Sequence, residues 1–343
     1  MSEFRCTRRR AIESFGSLVA ASPLLRGQEL IGEPAGRITP RQEAVNVFEV
    51  EEVAKRKLAS TVYATIAGSD RRAFDRITFR PRMLVDVQQL DLTTELFGEK
   101  LFTPILVGPI SEQQRFHPEG ELAMARGASA AKTVMVVSSR SSYPVDRIAA
   151  QAKTTLWYQV YSEAEMGAVR DQVHQAVQAS CKAVCLTADA PHRRMDWSVI
   201  EQLRRGMAIP LLLKGIMSPE EARTAVQRGA QGIVVSNHGA PSSAGLAAPL
   251  EMLPSIVEAV GGKIPVLIDG SFRRGTDVLK ALALGARAVL IARPAVWGLA
   301  AYGADGVQTV LEMLQSELAR SMGLSGKPNI KAIDGSLVKI HRR

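Results

Sequence analysis

Two short segments carry residues able to do chemistry. Leu211-Leu212-Leu213-Lys214-Gly215 is an apolar run that ends on an ammonium group. The next such run, Val234-Val235-Ser236-Asn237-His238-Gly239, ends on an imidazole. A lysine and a histidine delivered to one rim can polarise a bound cofactor and act as a base. Their separation suits adjacent parallel strands joined by one crossover helix.

The residues just beyond each apolar run extend this pair to a polar ring. Ser111 comes after Pro104–Val107, and Ser138-Ser139-Arg140 after Val134–Val137. Gln159 and Tyr161 close Leu156–Val160, and Thr187 and Asp189 close Ala183–Leu186. Lys214 comes after Pro210–Leu213, and Asn237-His238 after Gly232–Val235. Asp269-Gly270-Ser271-Phe272-Arg273-Arg274 comes after Pro265–Ile268, and Arg293-Pro294 after Ala288–Ile291. Backbone N–H groups and arginine forks in the last two places suit a phosphate dianion. The glutamine, threonine, serine and lysine side chains suit the edge of a flat, hydrogen-bonding ring system.

Periodicity identifies the elements that must position this ring. Continuous apolar runs imply strands buried on both faces, as in a parallel sheet. Helical patterns fill most of the gaps, at Glu119–Ala131, Val145–Ala152, Ala164–Ala179, Pro219–Arg228, Leu250–Val260, Thr276–Leu284 and Gly306–Met322. Ser218 before Pro219-Glu220-Glu221 is a strong helix start: a cap, a first-turn proline, and acids at the positive pole. Eight runs with intervening helices predict an α/β fold, a TIM (β/α)8 barrel whose functional groups sit at the strand C-termini. An open doubly wound sheet is the rival, and the lack of G-x-G-x-x-G after the first run argues against it. Val47, Val50, Val53, Ala54, Leu58, Val62 and Ile66 predict a helical cap over residues 46–67. The expected organisation is a tail or signal over 1–29, a linker over 30–45, the barrel domain over 46–335, and a basic tail over 336–343. Only residues 189–209 separate the fourth and fifth runs, with one helix around Trp197–Arg205, which leaves little room for a lid.

Composition sets outer bounds. With 46% hydrophobic and 22% charged residues, the chain has ordinary globular composition over 343 residues. The net charge of +9 is dispersed, with no basic run beyond the N-terminus. It suits a solvated surface serving an anionic ligand and argues against nucleic acid. Cys6, Cys181 and Cys185 make neither a disulfide framework nor a metal signature. Thr7-Arg8-Arg9-Arg10 before a mildly apolar stretch resembles a twin-arginine export signal, although Glu13 interrupts the apolar part. Two locations stay open: export to the periplasm, or a basic tail on a cytoplasmic protein.

The ordered set of motifs resembles the FMN-dependent α-hydroxy acid oxidase/dehydrogenase family, which includes glycolate and lactate oxidases. The matching stretches include Phe79-Arg80-Pro81-Arg82, His117-Pro118-Glu119-Gly120, Tyr158-Gln159-Val160-Tyr161, Leu186-Thr187-Ala188-Asp189, Leu213-Lys214-Gly215, Ser236-Asn237-His238-Gly239-Ala240, Arg273-Arg274-Gly275-Thr276-Asp277 and Arg293-Pro294. The resemblance implies an FMN-binding barrel in which His238 is the catalytic base and Asp189 pairs with its imidazole. It implies that Lys214 sits against the flavin's N1/C2 edge and that Ser138, Gln159 and Thr187 hold the ring. Arg273, Arg293 and Gly270 would hold the phosphate, with Ser111 and Asp269 completing the cofactor contacts. Tyr161 would face the substrate, with Arg193 or Arg194 as a second substrate arginine and Arg140 able to replace the missing first one in part. One of Arg273 and Arg274 is expected to be solvated, and Trp197 and Trp297 to be packing residues.

The pattern breaks on the substrate side. The arginine that comes after the histidine motif in the family is Pro241 here, and Thr65 stands where a cap tyrosine is usual. Arg140 replaces an aromatic residue. The flavin side is nearly whole, apart from Ser271 and Ala292 where glycines are common. The expected function is two-electron oxidation of a 2-hydroxy acid or related alcohol. Two alternatives are the same flavin chemistry on a larger amine or modified peptide, and a flavin-binding protein without turnover. The electron acceptor stays open among oxygen, a quinone and a separate cytochrome, and export would favour a respiratory acceptor. The family resemblance also implies a homo-oligomer, a tetramer in many relatives.

Overall fold

Strands that are apolar on both faces need cover on both sides, and closing the sheet supplies it. In the computed structural model, eight parallel strands form a closed barrel. They are β4 Ile105–Val107, β5 Met135–Ser138, β6 Leu156–Tyr161, β7 Val184–Thr187, β10 Leu211–Ile216, β11 Gly232–Val235, β12 Val266–Ile268 and β13 Ala288–Ile291. They pair in chain order, and β13 closes the ring on β4. Each coincides with one of the eight apolar runs. The structure describes residues 38–341 except 69, 83, 162–164, 191–192, 195 and 240–246, and not the side chains of 189, 190, 193 and 194. The twin-arginine-like segment and Pro241 fall outside the described residues.

The wall is covered by α4 Gly120–Ala130, α5 Val145–Gln151, α6 Met166–Gln178, α7 Ser198–Arg204, α8 Pro219–Gln227, α9 Pro249–Val260, α10 Gly275–Ala283 and α11 Arg293–Leu324. The expected cap forms at α8 and is a full capping box: Ser218 accepts from the Glu221 backbone, and the Glu221 carboxylate accepts from the Ser218 backbone. Two apolar layers result. One lies between strands and helices, and the other fills the barrel bore with residues such as Leu106, Val136, Trp157, Leu212, Val234, Leu267 and Leu290.

Elements not anticipated close the ends. An antiparallel hairpin, β2 Thr94–Leu96 and β3 Glu99–Leu101, turns on Phe97 and Gly98, both at positive φ. Leu96 and Leu101 pack into the bore layer, and the Phe97 ring lies 5.6 Å from Trp157, so the hairpin stoppers the N-terminal mouth. The segment expected as a basic tail is partly structured. β14 Val338–Ile340 pairs antiparallel with β1 Ile77–Phe79, and Leu337 and Val338 are buried. The apolar alternation there is too short to stand out beside its lysine and arginines.

The cap begins with α1 Val47–Lys57, whose Asn46 side chain accepts from the Phe48 and Glu49 backbones. Two short helices come next, α2 Ser60–Ala64 and α3 Arg72–Asp75. Buried Val47, Val50, Val53 and Ala54 form the inner stripe of α1, which packs against α11. α11 starts thirteen residues before the expected Gly306, and breaks at Tyr302 and Gly303, where Gly303 has φ +63. Its two halves fold against each other so closely that a Cβ on Gly306 would lie 2.0 Å from the Gly298 carbonyl oxygen. Among the described residues no helix is long and apolar enough to cross a membrane, and no cluster of His, Cys, Asp or Glu could hold a metal ion. Cys181 and Cys185 are buried free thiols, and burial pushes both up to about 12.

Backbone-to-backbone contact cannot yield to an added methyl group. Gly306→Ala is therefore expected to lower unfolding free energy by about 3 kcal/mol, measured by urea denaturation.

Candidate active site

The backbone aims the charged groups. The β10–β11 register slips between Lys214 and Ile216, leaving Gly215 as an extra residue at φ +109. Such a bulge re-aims the adjacent side chain. Lys214 is buried, and its Nζ donates to Ser236 Oγ at 2.8 Å and pairs with Asp269 Oδ2 at 3.0 Å. One ammonium thus ties the ends of β10, β11 and β12 together.

The chain leaves β11 through a left-handed pair, His238 at φ +56 and Gly239 at φ +72. The His238 amide donates to Ser236 Oγ and the Gly239 amide to Asn237 Oδ1, each at 3.2 Å. The turn puts the imidazole at the mouth, exposed to solvent. The Gly239 carbonyl accepts from Arg293 Nη2 at 3.0 Å. A Cβ at Gly239 would come within 2.6 Å of that nitrogen, so the motif needs glycine for both conformation and space.

A cavity of about 200 Å³ brings together Lys214, His238, Asp269, Gly270, Arg273 and Arg293. Its other walls include Ile66 from the cap and Ile110 after β4. Arg273 is buried against the Trp297 ring, its Cζ 4.3 Å from the centroid, and Nη1 donates to the Phe272 carbonyl at 2.8 Å. Its Nε and Nη2 are buried with no hydrogen-bond partner among the described residues. Burial, aided by the nearby Arg293 charge, pushes the Arg273 guanidinium down to about 9. Burial also lowers Arg293, whose Nη1 donates to the Gly68 carbonyl. Arg274 is exposed and pairs with Glu317 at 2.8 Å, so it is the solvated member of the pair. A desolvated guanidinium with idle donors, as at Arg273, suits an anion carrying several acceptors.

The remaining candidates occupy the other arc of the rim. Gln159 Nε2 donates to Thr187 Oγ1 at 2.7 Å, while Gln159 Oε1 is buried without a partner among the described residues. Ser111 Oγ lies 3.1 Å from Ser138 Oγ and 3.4 Å from Tyr161 Oη. The Arg140 guanidinium stacks 3.8 Å over the Tyr161 ring. These residues do not line the cavity. Asp189 faces Arg194 across a two-residue antiparallel ribbon, β8 Asp189–Ala190 with β9 Arg193–Arg194, and their side chains lie outside the described residues.

Other contacts carry no signal in the sequence. Arg71 holds Asp277 through two bonds of 2.7 and 3.0 Å and reaches the Ser271 carbonyl at 2.9 Å. It thereby fixes the turn that carries Arg273, whose backbone also donates to Asp277 at 2.9 Å. Ser271 has φ +61, which accounts for the glycine common there. From the cap, Glu51 accepts from Tyr63 at 3.1 Å and is raised by burial, with Arg273 and Arg293 lowering it in part. Thr65 is exposed and bonds the Val62 carbonyl at 2.7 Å. Ser236 is visible within the histidine motif, but no spacing or motif marks Arg71 or Glu51.

A family model described as FMN-dependent dehydrogenase matches residues 60–194 and 192–340. Glycolate oxidase of Spinacia oleracea is 37% identical, over 86% of this chain and 95% of that protein. L-lactate oxidase of Nostoc sp. is 38% identical, over 88% of this chain and all of that protein. A solved structure of mandelate oxidase with (S)-2-phenylpropionate has a TM-score of 0.82 and 36% identity, covering 88% of this chain and all of that one.

A buried, under-bonded cation destabilises an empty site and strengthens a filled one. Arg273→Met is expected to stabilise the apoprotein by about 1–3 kcal/mol in chemical denaturation. The same change is expected to weaken FMN about a hundredfold in titrations, with riboflavin, which lacks the phosphate, little affected.

Proposed function

Because this chain belongs to the FMN-dependent dehydrogenase family, and is thus an FMN-dependent oxidoreductase, we propose that it oxidises a 2-hydroxy acid to the 2-oxo acid, with oxygen as the final acceptor. The observation that carries the reading is the single cavity shared by Lys214, His238, Asp269, Arg273 and Arg293. The idle polar atoms fit the cofactor. Arg273 Nε and Nη2 suit the phosphate, with Arg293 and the Gly270 backbone beside them. Gln159 Oε1 suits the ring imide N–H, and Thr187, Ser138 and Ser111 extend that polar edge. When bound, FMN supplies the acceptor for two electrons.

The protein's own groups do the rest. His238 takes a substrate proton onto an imidazole nitrogen, and Asp189 stabilises the imidazolium. Lys214 presents a positive charge to the ring edge while Asp269 and Ser236 hold its ammonium in place. Tyr161 faces the substrate, and Arg140 and Arg194 supply charge for its carboxylate. Arg140 is the better supported of the two, since its guanidinium carbon lies 3.8 Å from the centroid of the Tyr161 ring.

The oxidase names of the relatives support oxygen as acceptor. A second reading, the same chemistry on a larger amine or modified-peptide substrate, is favoured by one observation. The Thr65 hydroxyl is committed to a backbone carbonyl, so the cap offers no hydroxyl where the family places a tyrosine.

Anaerobic mixing of the FMN-loaded protein with a panel of 2-hydroxy acids tests the proposal, read as flavin bleaching and then as peroxide on admitting air. His238→Ala is expected to slow bleaching by about 10²- to 10⁴-fold while FMN content and dithionite reduction stay unchanged. If no 2-hydroxy acid bleaches a flavin that dithionite does bleach, the substrate class is wrong. Arg140→Gln is expected to raise KM about tenfold for the acid with little effect on its neutral amide.

A further inference from the structure

The opposite mouth of the barrel carries a second concavity. A cavity of about 580 Å³ opens between the β2–β3 hairpin, the ends of α4 and α5, and the turn leading into β7. That volume is within the range of small-molecule sites. Four lysines line it, Lys100, Lys132, Lys153 and Lys182, with hydroxyls such as Ser129 and Thr154 between them. No carboxylate among the described residues lines it. Glu99 accepts from Thr155 Oγ1 at 3.4 Å, Glu95 stands opposite Lys100 in the hairpin, and Asp91 lies within electrostatic reach of Lys100.

Helix dipoles account for part of this charge. Lys132 and Lys182 come just after the C-terminal ends of α4 and α6, where cations are favoured. Lys100 lies on a strand and gains nothing from that effect. Lys132 also occupies a left-handed position, φ +53, just past the end of its helix. At the equivalent positions after α8 and α10 the chain has Gly229 and Gly285, at φ +83 and +102. A lysine is a costly choice for that backbone, and strain of this kind collects where a side chain is needed. The Lys132 ammonium rests 5.2 Å above the Phe102 ring, which holds it at the cavity.

We propose that this lysine-lined cleft binds a soluble ligand bearing a di- or triphosphate group. Four lysines lining one cleft, with no carboxylate among its described lining residues, attract a multivalent anion far more than a monovalent one. The site is separate from the flavin mouth and does not depend on the reaction proposed there.

The test uses FMN-saturated holoprotein, so that the flavin phosphate site is filled. Inorganic pyrophosphate is expected to raise its thermal midpoint beyond sodium chloride of equal ionic strength. Lys132→Gly combined with Lys182→Glu is expected to weaken pyrophosphate about tenfold by calorimetry while flavin content and turnover persist. Lys132→Gly alone is expected to raise the ligand-free midpoint, because it relieves the left-handed backbone, and still to weaken the anion. Equal pyrophosphate affinity in all the proteins, or no gain over chloride, overturns the proposal. Sedimentation with phosphatidylglycerol vesicles without any response to pyrophosphate also overturns it, in favour of a lipid headgroup.

Discussion

A buried ammonium must be paired, and the pairing of Lys214 organises the catalytic end of this barrel. Its charge sits where three strands end, so its two partners come from neighbouring strands: Ser236 after β11 and Asp269 after β12. Ser236 then serves twice, accepting from the ammonium and from the His238 amide. The histidine turn is therefore built on the same oxygen that anchors the lysine. The glycine after that histidine makes room for Arg293, which ties the turn to the end of β13. A short chain of polar contacts thus links the lysine to Arg293 through groups that the fold needs in any case.

The two halves of the rim are built differently. On the β10–β13 side, cations are desolvated and leave donors idle, as at Arg273. On the β4–β7 side, hydroxyl and amide groups bond mainly to one another, as in Ser111–Ser138 and Gln159–Thr187. A ligand with a strongly charged end and a planar polar edge matches that asymmetry. The helical cap adds Ile66 to the wall and brings Glu51 close to the arginines, where it joins Asp277 and Asp269 in offsetting their charge.

Much of this is legible in the residues. Every barrel strand coincides with a continuous apolar run because burial on both faces leaves no other pattern. The polar residue after each run marks the rim for the same reason, and six of the candidates do meet in one cavity. Tertiary context sets the rest. The β2–β3 hairpin is too short for a periodicity signal, and β14 hides in a basic segment. The first half of α11, with Pro294 and Gly298 in it, lies outside the expected helix, yet a proline is welcome in a first turn and close helix packing needs glycine. The bulge at Gly215 and the grip of Arg71 on Asp277 join residues that no spacing rule connects.

The hairpin that stoppers the far mouth has a kinetic consequence. With Phe97 wedged against Trp157 and the bore packed by an apolar layer, the barrel is a blind well with no passage along its axis. Reactant and spent product then share the same doorway. Departure of one molecule and arrival of the next then compete for a common path.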